Sequence, residues 1–113
     1  MIEISYCPSL CSVTIAGHAG SAPRGDDLVC AAVTALAQTL AANVRELAAH
    51  GVLTDKRVYL TPGAAEIRCT PRQEFRSVAV LVFDVVCTGL EKLAQAYPQY
   101  LRYEVQGRMQ ELV

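Results

Sequence analysis

Apolar and polar positions alternate over residues 2–6, break at Cys7-Pro8-Ser9-Leu10, and alternate again over residues 11–17 through Val13 and Ile15. Two short strands joined by a turn follow from that pattern. The period then changes: Val29, Val33, Leu36, Leu40, Val44 and Leu47 recur every three or four residues. This lays one apolar stripe along a helix that Asp26 or Asp27 caps and that runs to about His50. Gly51 ends it, as a residue that tolerates positive φ. Residues 57–61 and 65–69 flank Pro62-Gly63 and predict a second hairpin, with Ile67 inward and Glu66 and Arg68 toward water. Residues 77–87 favour a strand by propensity, being rich in Val. The apolar pattern nevertheless continues through Leu90, Leu93 and Tyr97 with no turn signal beyond Gly89, and that length predicts a second helix. Residues 100–105 alternate as a last strand. The order ββαββαβ predicts an α+β, two-layer fold, with a mixed or antiparallel sheet packed by two helices.

A chain of 113 residues has room for one core, so residues 1–113 are expected to form a single domain. Hydrophobic residues make up 52% against 19% charged, which excludes a disordered tail and leaves more apolar surface than a small monomer hides. A dimer is the expectation, with the second helix, apolar on most faces, between the sheet and a second subunit. The net charge of −1, with no basic stripe, argues against direct nucleic-acid binding. No uncharged apolar stretch reaches 18 residues, and the N-terminus has neither the basic segment nor the cleavage site of a signal peptide. A cytoplasmic location and no membrane partner are therefore expected. Five cysteines in such a chain read as free thiols rather than a disulfide framework.

One of those thiols has a distinctive place. With Asp27 as cap, Cys30 falls in the first turn of the first helix, where free backbone N–H groups and the helix dipole favour an anion. An imidazole nearby would complete a nucleophile and later return the proton to a leaving amine, and His18, at the end of the second strand, is the candidate. The N–H groups around residues 28–31 offer a site for an oxyanion. Residues 19–24, with no apolar anchor, read as a lid over the site. The competing reading makes Cys30 a small buried hydrophobe. Cys7, Cys11, His18 and Cys30 together hold zinc-ligand types, but their spacing resembles no zinc module. Cys69 and Cys87 read as core fillers, and His50 as a helix-end residue. Asp84, alone in an apolar run, is placed either on the wet stripe of its helix or in a pair across a subunit interface. Tyr59, Tyr97, Tyr100 and Tyr103 are candidates for the edge of a pocket for an aromatic side chain.

Gly17-His18-Ala19, a variable loop, and then the run Gly25-Asp26-Asp27-Leu28-Val29-Cys30-Ala31-Ala32-Val33-Thr34 together resemble the signature of the ribosomal-processing cysteine protease family Prp. That signature reads GHA, a loop, and G-x-D-I/L-V-C-A-x-V/A-S. The likeness extends in length and element order from the first hairpin to the last strand. It implies a small dimeric α+β protein in which Cys30 is the nucleophile and His18 the base. It also implies that Gly17 permits the strand end, that Asp27 holds the helix start, and that Thr34 stands where the family usually has Ser. No cofactor is implied. The implied reaction removes the N-terminal extension of a large-subunit ribosomal protein, number twenty-seven of that subunit, by cutting after an aromatic residue. Three other readings remain open: a noncatalytic dimeric module that binds a ribosomal protein tail, a protease acting on phage capsid proteins, and a redox sensor pairing Cys30 with Cys7 or Cys11.

Overall fold

The computed structural model describes residues 1–20, 22–23 and 27–107. The first two alternating segments form β1 (Ile2–Cys7) and β2 (Ser12–Ala16), joined by a 3₁₀ turn at Pro8–Leu10 that Cys11 closes in a left-handed conformation at φ 46°. The long stripe is α1 (Leu28–Ala49), and the second hairpin is β3 (Leu53–Thr61) with β4 (Ala64–Pro71). The Val-rich segment is α2 (Arg76–Ala96), and β5 (Leu101–Val105) ends the order. The five strands make one sheet in the order β3-β4-β2-β1-β5, antiparallel except where β5 runs parallel to β1, so the sheet is mixed.

Alternation decides which face meets the helices. Ile2, Ile4, Tyr6, Val13, Ile15, Ile67, Cys69 and Leu101 point into a single core with the buried stripes of α1 and α2, while Glu3, Thr14, Arg68 and Arg102 face water. Phe83 of α2 stacks on Tyr6 with ring centroids 6.3 Å apart. Each fully buried aliphatic or aromatic side chain in this layer stabilises by about 1.5–3 kcal/mol. Ala37 and Ala41 join Val29, Val33, Leu40 and Val44 on the buried face of α1, whereas Leu36 and Leu47 of the expected stripe are half-buried.

Some boundaries differ from the pattern. β2 stops at Ala16, one residue before the expected end, because Gly17 turns away at φ +102°. β3 begins at Leu53 rather than residue 57, since its added residues, Thr54, Asp55 and Lys56, are exposed and show no alternation. Pairing of Leu53, Asp55 and Lys56 with β4 holds the segment in the strand, across a register shift at Thr54. α1 is long and apolar enough to cross a membrane by length and composition alone, although its buried stripe lies on the sheet as in a core helix. Asp84 shares with Thr88 and Glu91 of the same helix the lining of a small polar cavity, the partly wet side expected for it. It is half-buried and accepts a hydrogen bond from the Tyr6 hydroxyl within the same chain at 2.6 Å.

Candidate active site

The site grows from two chain reversals. After β2, Gly17 adopts a conformation that L side chains rarely take, and a Cβ there would run into the carbonyl oxygen of Met1. Its N–H donates to Gly63 O at 2.9 Å, which ties the end of β2 to the turn between β3 and β4. His18 follows, exposed, with its carbonyl accepting from the Met1 nitrogen at 2.6 Å. Its ring lies against Gly63: a Cβ built on that glycine would stand 2.7 Å from Nε2. Ala19 then returns to the core at 6% exposure, and its N–H donates to Cys30 Sγ at 3.3 Å.

The second reversal is the start of α1. Asp27 is the N-cap: its carboxylate accepts from the Cys30 N–H at 3.0 Å, and its carbonyl accepts from Ala31 N–H at 3.0 Å. Asp27 is itself buried, at 8% exposure. Two of the four N–H groups expected to await an oxyanion are therefore already engaged. Those of Leu28 and Val29 are left without an acceptor among the described residues. Cys30 sits half-buried in the first turn of the helix, its sulfur beside a backbone donor that a sulfur anion uses more strongly than a neutral thiol.

Between the two reversals lies a groove of about 620 Å³. Gly17, His18, Asp27, Cys30 and Thr34, the five residues singled out in the sequence, all line it. Its far wall is the β3–β4 turn at Thr61, Pro62 and Gly63, and Ile2 and Ile15 lie at its sheet side. No hydrogen bond joins His18 to Cys30 among the described residues; the two share the groove and are not in contact through a proton.

The other cysteines are placed differently. Cys69 and Cys87 are buried, and their thiols are pushed up: Cys69 by a hydrogen bond with Cys11 and then by burial, Cys87 to about 12 by burial and then by the Asp84 carboxylate, with a Tyr103 hydrogen bond opposing. Cys7 and Cys11 sit at the turn end of the β1–β2 hairpin. Cys30 Sγ instead takes the Ala19 N–H, beyond the other end of β2. All five cysteines are free thiols, and Cys30 is bonded to neither Cys7 nor Cys11.

Two expectations change here. None of Tyr59, Tyr97, Tyr100 and Tyr103 lines the groove; Tyr103 borders a smaller polar cavity beside Asp84. The loop after His18 does have an apolar anchor, Ala19, while the rest of the expected lid includes Ser21 and Arg24, which lie outside the described residues. Gly63 and the Ala19 N–H were not singled out in the sequence. Pro62-Gly63 is visible there as a turn, but only the pairing of β2 with β4 carries it to His18.

Residues 1–102 match the family model described as cysteine protease Prp. By sequence, no curated protein matches significantly. Among solved structures, the chain is similar to an essential ribosomal processing protease Prp from S. aureus in complex with a covalently linked product peptide. The TM-score is 0.73 at 20% identity, over 94% of this chain and 100% of that one. The same protease with a substrate peptide gives 0.63 at 20% identity, over 93% and 97%. SMU.848 from Streptococcus mutans gives 0.63 at 25% identity, over 92% and 90%.

Proposed function

The chain belongs to the family of the cysteine protease Prp, and from that premise we propose that it hydrolyses a peptide bond with Cys30 as nucleophile and His18 as general base and acid. The observation that carries this reading is Cys30 Sγ at the start of α1, under the Ala19 N–H, in one groove with His18. His18 takes the thiol proton as sulfur attacks the scissile carbonyl, and the oxyanion forms at the start of α1, where free N–H groups and the helix dipole favour negative charge. The C–N bond then breaks, the imidazolium gives its proton to the leaving amine, and a thioester remains on Cys30. Water, deprotonated by His18, attacks that thioester and releases a carboxylic acid and the thiol. Asp27 holds the helix start by occupying the Cys30 N–H, and Thr34 lies one turn further along the groove.

The substrate of this proposal is the N-terminal extension of a large-subunit ribosomal protein, number twenty-seven, cut after an aromatic residue in the cytoplasm. The S. aureus neighbour is a ribosomal processing protease, which supports that choice. A homodimer belongs to the same proposal, supported by the exposed Val78, Leu81 and Val85 on one face of α2. A noncatalytic module that grips the same tail is favoured by one observation, the lack of a His18–Cys30 hydrogen bond. Apo geometry of that kind often tightens only with substrate bound.

Incubation with a peptide copying such an extension, followed by mass spectrometry, decides between the two. Cleavage after the aromatic residue, lost in both Cys30→Ala and His18→Ala, is the expected result. Binding of the peptide with no cleavage, and alkylation of Cys30 by iodoacetamide no faster than that of Cys7, would leave the binding module standing instead.

A further inference from the structure

The ring of His18 lies against the place that a side chain on the glycine at the tip of the β3–β4 turn would take. A Cβ on Gly63 would be 2.7 Å from His18 Nε2 and 3.2 Å from Cε1. Real side chains do not approach that closely, so any residue but glycine at 63 displaces the ring. The turn is also held against the end of β2 by the Gly17 N–H to Gly63 O hydrogen bond at 2.9 Å. The backbone that sets where His18 begins and the backbone its ring rests on are therefore one unit. His18 is exposed, and no other contact in the described structure restrains its ring through a hydrogen bond.

Resting on the reading of His18 as the base, we propose that Gly63 is a positioning residue for catalysis, and that the Pro62-Gly63 turn is the seat that holds the imidazole at the rim of the groove opposite Cys30. Two requirements meet at this glycine: a backbone at φ +81° and a missing side chain. The first is a matter of strain, the second of the ring. Gly51 separates them, because it has φ +73° and nothing within 4 Å of an added Cβ. Gly51→Ala thus carries the strain of a left-handed alanine without touching the site.

The test compares Gly63→Ala, Gly51→Ala and His18→Ala with the unmodified protein, using the ribosomal-extension peptide. Each variant is measured for kcat and KM, for melting temperature, and for the nuclear Overhauser contact between the His18 ring protons and the residue 63 α-protons. Gly63→Ala is expected to melt like Gly51→Ala, to lose or shift the ring contact, and to lower kcat by ~10²-fold at similar KM, the low end of what a general base supplies. Gly51→Ala is expected to keep kcat within about twofold of the unmodified protein, since it alters backbone strain alone. Equal kcat in Gly63→Ala and Gly51→Ala, with His18→Ala inactive, would overturn the positioning role and leave the dyad intact. Full activity in His18→Ala would overturn both, and would locate the failure in the dyad itself.

Discussion

Tyr6 and Asp84 form the polar contact most exposed to a single atom's removal. The hydroxyl donates at 2.6 Å to a half-buried carboxylate that has no cation beside it among the described residues. Tyr6→Phe keeps the ring on Phe83 and deletes only the donor, so it should destabilise by about 1 kcal/mol, the usual net worth of one hydrogen bond. Urea unfolding checks this through a lower midpoint at unchanged slope; an unchanged midpoint would mean that water already serves Asp84. Asp27→Ala should cost about 1 kcal/mol through loss of the N-cap, with Asp27→Asn recovering most of it in the same assay. At this scale the sequence was informative about Asp27, Cys30 and His18, whose positions follow from helix and strand ends a few residues away. It was uninformative about the partner of Asp84, which lies 78 residues earlier in the chain.

The elements that carry the site are a strand end, a helix start and a turn, and each depends on one backbone position. Gly17 is the most demanding: φ +102° and the Met1 carbonyl oxygen leave no place for a side chain. Gly17→Ala should lower the melting temperature more than Gly20→Ala, whose Cβ would meet nothing within 4 Å although its φ is also positive. Equal melting temperatures would show that β1 shifts to make room. The helices were legible from period and length, α2 included, where Val-rich composition alone points to a strand. The full extent of β3 was not, since an edge strand with exposed Thr54, Asp55 and Lys56 carries no alternation, and only pairing with β4 defines it.

For the molecule as a whole, the exposed stripe of Val78, Leu81 and Val85 is the surface on which the proposed dimer depends. Leu81→Glu with Val85→Glu should convert a dimer into a folded monomer in sedimentation equilibrium; a dimer that survives both changes would place the interface elsewhere. Stability should also fall in alkali. Tyr6, Cys69 and Cys87 all have pKa values raised by the fold, so the folded chain keeps protons that the unfolded chain releases. Their contribution is complete below the ordinary thiol value of 9.0 and is lost as pH rises toward about 12 for Cys87. Each thiol's contribution declines by up to about 1.4 kcal/mol per pH unit above 9.0, and that of Tyr6 follows above 10.0. Urea midpoints at pH 7, 9 and 10 should fall above pH 9, less steeply in Cys87→Ala, and a flat profile would contradict the burial of these groups. The order of elements, most of the apolar stripe of α1, and the placing of Cys30 and His18 at element ends were determined by sequence alone, because period, capping and turn chemistry act over a few residues. The strand order β3-β4-β2-β1-β5 was decided by tertiary structure, and with it the meeting of Gly63 with His18, of Ala19 N–H with Cys30, and of Tyr6 with Asp84. Those contacts join segments far apart in the chain, and only the collapse of one apolar sheet face onto two helices brings them together.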